Sequence, residues 1–188
     1  MTSTQLKALL DTNLANNNNK EITAAKVREV ITELIQKSGG WADYNNSSTT
    51  KQTITSGSWQ QLTNDGAGAL TQETFMPYYT SSMFSSNAVD LSDIPLGTVL
   101  TLRNDITLNI TSNNTDVLFR VKFKDSEGAE VYTHLYDFRA FKSQGELSGV
   151  NFYEFYVGKD IVNGSVELEI FADHNIEALW NGCFITIP

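Results

Sequence analysis

One cysteine and two histidines are all that 188 residues contain of those types. A lone Cys183 excludes an intrachain disulfide. It lies in the apolar run GCFITIP, where a buried, inert thiol is expected rather than a nucleophile. So few imidazoles and thiols cannot supply a dense transition-metal site. His134, in VYTHLYDF, reads as a structural strand residue, and His174, in ADHN, as a turn residue. Asp90 with Asp93, and Asp173 with Asn175, are oxygen donors of the kind Ca²⁺ takes, but no EF-hand pattern surrounds them. They read as solvated loop acids, and neither metal nor cofactor is expected.

Positive charge is scarce too. Lys and Arg number 13 against 22 Asp and Glu, a net charge of −9, which disfavours nucleic acid and anionic membrane as partners. No apolar run approaches the roughly 20 residues of a membrane span, so no membrane insertion is expected. Met1 leads directly into polar TSTQ, without the basic and apolar regions of a secretory signal, so synthesis in the cytosol is expected. The sequons at Asn45, Asn46, Asn109, Asn113 and Asn163 then read as chance in an Asn/Ser/Thr-rich chain.

Signatures of catalysis are missing as well. There is no GxSxG elbow and no glycine-rich phosphate loop opening a helix. Glu167 and Glu169 share a strand face about 7 Å apart, a spacing the strand repeat alone dictates, and read as a solvated face. No catalytic residue is assigned, and an enzyme is not expected.

What is present begins with two amphipathic segments. Residues 3–15 place Leu6, Leu9, Leu10 and Leu14 on one helical face, and Asn16 to Asn19 break the pattern. Thr23 to Gly40 follows, with Val27, Val30, Ile31, Leu34 and Ile35 at i, i+3, i+4, i+7 and i+8. Thr23 suits the N-cap, Ile22 and Val27 sit at staple spacing, and Gly39-Gly40 ends the run. About 15 residues of isolated helix are marginal in water, so this stripe requires cover. Copies of the chain, the first helix, another protein or the chain's own β domain would each provide it.

From Trp41 onward the sequence reads as strands. Leu100, Leu102, Asn104, Ile106, Leu108 and Ile110 alternate with polar residues without losing phase, which favours one long strand over a hairpin at Asn104-Asp105. Val117, Phe119, Val121 and Phe123 alternate with Arg120, Lys122 and Lys124. Val150 to Val157 is apolar on both faces, and Phe152, Tyr153, Phe155 and Tyr156 are therefore candidate subunit-interface residues. Tyr132, His134 and Tyr136, sharing a strand face with Phe138, form a candidate ligand surface on which a sugar ring could stack, although such a stripe also suits a core or an interface. Eight to ten short strands with Gly and Asn turns predict a mainly β chain, an antiparallel β-sandwich or jelly roll behind a short helical anchor. The divisions expected are 1–40 for the helical segment, 41–63 for a connector and first strand, and 64–188 for the jelly roll.

Several phrases together resemble small virion proteins of tailed bacteriophages: LKALLDTNLANNNNKEITAAKVREVITELI, the GGW junction, QLTNDGAGALTQETFMP, DLSDIPLGTVLTLRNDITLNITSNNTDVLFRV and the closing NGCFITI. The resemblance implies an N-terminal helical anchor and a jelly roll of the tumour-necrosis-factor or C1q kind, usually a homotrimer. It implies a capsid decoration protein or a head or tail fibre, located in the virion, with capsid, neck or tail proteins receiving the helices. Shaft repeats are missing, so a compact knob is expected. A receptor- or glycan-binding module that attaches to the host surface is the alternative.

Overall fold

The structure is a computed structural model that describes residues 27, 39–77 and 80–188. In chain order the strands are β1 (Gly40–Asn45), β2 (Gln52–Ile54), β3 (Gln60–Gln61), β4 (Phe84–Ser85), β5 (Ala88–Asp90), β6 (Val99–Ile110), β7 (Thr115–Lys124), β8 (Glu130–Phe141), β9 (Gly145–Tyr156), β10 (Ser165–Ala172) and β11 (Ile176–Ile187). The amphipathic segments at residues 3–15 and 23–35 lie outside the described residues except for Val27, which is exposed.

Hydrophobic alternation becomes burial strand by strand. Leu100, Leu102, Asn104, Ile106, Leu108 and Ile110 of β6 all point inward, so β6 is one continuous strand. The irregularity falls on its partner, where the register of β11 shifts between Trp180 and Gly182. Val117, Phe119, Val121 and Phe123 of β7 meet Val166, Leu168, Ile170 and Ala172 of β10 on one inner face. The cluster joining the two inner faces includes Trp180, Phe119, Phe123 and Ile185, and burial of this kind contributes about 25 cal/mol per Å² of apolar surface.

The sheets run β1-β11-β6-β9, with β2 also on β11, and β4-β5-β10-β7-β8, with β3 also on β10. Pairing is nested: β7 with β8, β6 with β9, β5 with β10, and β1 with β11. The chain is thus folded back on itself like one long hairpin whose tip is the Asp125–Ala129 turn, and that ribbon is rolled into two sheets. This is the strand order of a jelly roll.

The two flanks of the sandwich differ. On one flank, the short strands β2 to β5 and their loops pack along the sheet edges. On the other, β8 and β9 are both 12-residue edge strands, and among the described residues each is paired on one side only.

Candidate functional site

Strand β8 enters the site irregularly. Its register to β7 shifts between Phe119 and Arg120, which leaves Tyr136 as the extra residue of a bulge. Tyr132 and His134 stand opposite Phe123 and Val121 and face inward. Beyond the bulge the phase reverses, so Asp137 and Arg139 face inward and Phe138 turns out, 58% exposed. The expected single face of Tyr132, His134, Tyr136 and Phe138 is therefore divided. Tyr136 does not belong to an outer ligand surface: its hydroxyl is enclosed and its ring lies 5.2 Å from that of Tyr153. Burial raises its pKa well above the ordinary tyrosine value. A bulge leaves no trace in residue periodicity, which is why the alternation misplaced Phe138.

Strand β9 supplies the facing wall. Tyr153 and Phe155 point inward against Phe123, at ring distances of 6.2 and 5.2 Å, so their face is covered by the chain itself. Phe152 and Tyr156 point outward and are 62% and 66% exposed. The four aromatic residues of β9 thus have two destinations rather than one.

Between the two walls lies an open groove of about 380 Å³ lined by Tyr132, His134, Tyr153, Glu154, Phe155 and Tyr156. Tyr132 stacks on Phe123 at 4.5 Å. The Nδ1 of His134 is 2.7 Å from the Tyr153 hydroxyl. Glu154 accepts from Thr101 at 3.2 Å. Burial, then the neighbouring Tyr132, pushes the Tyr153 pKa up to about 12, and burial with the nearby Asp160 raises that of Tyr132. Both hydroxyls are consequently neutral near pH 7. Among the described residues no Lys or Arg lines the groove. Behind it, Asp137 pairs with Arg139 at 2.9 Å and accepts from Asn151 at 3.3 Å.

Two further surfaces were not anticipated. On the outer face of the β6 sheet, Phe75 stacks on Trp41 at 4.7 Å, Trp41 on Phe184 at 5.4 Å, and the Arg103 guanidinium lies 5.1 Å from the Phe184 ring. Phe152 is the cross-strand partner of Arg103 and extends the row. The signal available was the GGW junction, whose tryptophan the sequence offered only as a boundary mark. On the outer face of the other sheet, Glu167 and Glu169 are buried, not solvated. Glu169 accepts from Arg120 at 2.5 Å and pairs with Lys122, and Glu167 pairs with Lys124 at 2.5 Å. Cations at alternate positions of β7, in register with acids at alternate positions of β10, produce this ladder.

Cys183 is fully buried, and that burial raises its thiol pKa, as an inert core residue requires. Among the described residues no group of three or more His, Cys, Asp or Glu is placed to hold a metal ion.

No protein-family model matches the chain, and no curated protein matches it. Among solved structures, a chain of the T13 infectious bursal disease virus particle is similar over 81% of this chain and 32% of its own length, at 10% identity and a TM-score of 0.52. The PRD1 vertex protein P5 covers 79% of this chain and 70% of its own, at 17% identity and a TM-score of 0.39. The CBM22-1 xylan-binding domain of Paenibacillus barcinonensis Xyn10C covers 78% and 92%, at 13% identity and 0.38. This chain spans about a third of the length of the first virus-particle chains it matches. At these identities the likeness is one of fold, an antiparallel β-sandwich.

Proposed function

We propose that this chain is a non-enzymatic structural component of a virus particle, a short fibre or decoration protein whose sandwich associates with copies of itself along the β8–β9 flank. The observation carrying this reading is where the apolar surface lies. Of the thirteen large hydrophobic side chains exposed among the described residues, eight are on β8 and β9, and six of these, Val131, Leu135, Phe138, Leu147, Val150 and Phe152, lie outside the groove. Isolated apolar residues on a surface need no explanation, but six gathered on two adjoining strands do. Two long edge strands also present unpaired backbone amides and carbonyls, a hazard that folded proteins cover. At roughly 3.3 Å per residue each of these 12-residue strands is about 40 Å long. Association about a closed rotation axis covers the same flank on every copy, and three copies is the number that the bacteriophage resemblance implies.

In this reading residues 1–40 fasten the assembly to capsid, neck or tail, and the jelly roll faces outward. The strand order supports it, because the jelly-roll sandwich is a recurring building block of viral shells. The test is size-exclusion chromatography with light scattering on the full chain and on a Phe138→Glu, Phe152→Glu variant. A closed oligomer that dissociates in the variant is expected. A full chain that stays monomeric at every concentration overturns the reading.

A further inference from the structure

We infer that the groove between the β8 and β9 edges binds an uncharged pyranose, with one face of the sugar ring against Tyr156 and Tyr132 and its hydroxyls on His134, Tyr153 and Glu154. The assembly proposed above is not a premise, because the groove is complete within one chain.

Size and composition come first. At about 380 Å³ the groove lies in the range of roughly 300–1,000 Å³ typical of small-molecule sites, and aromatic rings supply most of its wall. The polar groups lie on its rim and floor rather than being buried within it. His134 uses Nδ1 toward Tyr153, which leaves the opposite ring nitrogen as a further hydrogen-bonding atom. Glu154 has one carboxylate oxygen engaged by Thr101 and a second oxygen beyond it. The wall is a sheet edge, so β9 also turns unpaired backbone donors and acceptors toward the groove. Flat apolar faces beside a fringe of donors and acceptors match a ligand with one C–H face and a hydroxylated rim. That is the amphipathic pattern of a pyranose ring.

Charge then narrows the class. Glu154 lines the groove, Asp160 is close enough to raise the Tyr132 pKa, and among the described residues no cation lines the site. A carboxylated sugar would meet two like charges with nothing to offset them, so acidic sugars are disfavoured. The competing occupants are a quaternary ammonium, which aromatic faces beside a carboxylate also attract, and an extended peptide, which a sheet edge can pair with. The short reach of the groove, across residues 132–134 and 153–156 only, favours a single ring over a strand. Several hydrogen-bonding groups around its rim favour a hydroxylated ligand over an ammonium, which needs only ring faces and charge.

The test is saturation-transfer NMR on the full-length protein, which reads ligand protons whatever the oligomeric state. The probes are methyl glycosides of glucose, galactose, mannose and N-acetylglucosamine, with N-acetylneuraminic acid, choline and a Val/Thr-rich heptapeptide as comparisons. At least one neutral glycoside is expected to receive saturation on its ring C–H protons. Tyr156→Ala and His134→Ala should each weaken that binding at least tenfold, while Leu70→Ala, outside both the groove and the β8–β9 flank, leaves it within twofold. Tyr156 is 66% exposed, so its truncation leaves the core intact, and an unchanged melting temperature verifies this. Saturation of none of the glycosides, preferential binding of choline or the peptide, equal binding of the acidic sugar, or indifference to both groove substitutions overturns the inference.

Discussion

The Nδ1 of His134 on β8 and the hydroxyl of Tyr153 on β9 lie 2.7 Å apart and tie the edges of two different sheets together. With the imidazole neutral and its proton on Nε2, the Tyr153 hydroxyl donates to Nδ1. Tyr153→Phe keeps the ring against Phe123 and Phe155 and removes only this bond. A loss of about 0.5–1 kcal/mol is expected in urea unfolding, the low end for a hydrogen bond because His134 is exposed.

Glu169 is the acid on which the outer ladder converges, and it is only 3% exposed. Burial alone would lower the Lys122 pKa, yet its bonds to Glu169 and Glu167 hold it above the ordinary lysine value. Glu169→Ala leaves Arg120 without its carboxylate and Lys122 with Glu167 alone. Removing one partner of a fully buried pair costs about 3–5 kcal/mol, and these cations keep 22% and 18% exposure, so about 2–3 kcal/mol is expected. The shift in denaturation midpoint measures it.

Gly164 and Gly57 separate two uses of glycine. A Cβ on Gly164 would stand 1.9 Å from the Lys124 carbonyl oxygen, so backbone must move. At Gly57, φ is +78° but nothing lies within 4 Å. Gly164→Ala should cost about 3 kcal/mol, the top of the usual range for forced repacking. Gly57→Ala should cost about 1 kcal/mol, the backbone term alone. Thermal unfolding of the pair distinguishes the two causes.

Asn104 is 1% exposed, and its side-chain amide lies beside the enclosed Tyr136 hydroxyl. A cavity of about 10 Å³ adjoins it, bounded also by Leu102, Val121 and Trp180. Asn104→Leu takes that polar neighbour away and leaves the buried Tyr136 hydroxyl without it. Stability should fall by about 1–2 kcal/mol in urea unfolding.

Alkaline pH should unfold the protein. Burial raises the folded-state pKa of Cys183, Tyr44, Tyr136 and Tyr153 above their ordinary values of 9.0 for the thiol and 10.0 for the phenols. Above those values the unfolded chain has released protons that the folded chain still holds, so raising the pH favours unfolding. Full stability is therefore expected below about pH 9, with a decline that steepens from 10 toward 12. Each proton involved contributes a slope of at most about 1.4 kcal/mol per pH unit. Cys183→Ala should delay the onset toward pH 10, as read by circular dichroism across a pH series.

The sequence determined on its own whatever depends on residues two apart along one strand. The inward sides of β6 and β7 follow from alternation, because a strand's side chains must point to opposite faces, and the buried Cys183 follows from the apolar run around it. The turn at Asn64-Asp65-Gly66 follows from local chemistry, since the Asn64 side chain accepts from the Gly66 amide two residues on. Tertiary structure alone decided which edges lie side by side. It placed His134 against Tyr153, 19 residues away, and buried Glu167 and Glu169 under cations 43 and 49 residues distant. It turned Phe138 outward through a bulge that no periodicity records. Pairing across sheets depends on how the ribbon rolls, and rolling is set by the packing of both faces together rather than by any one strand's pattern.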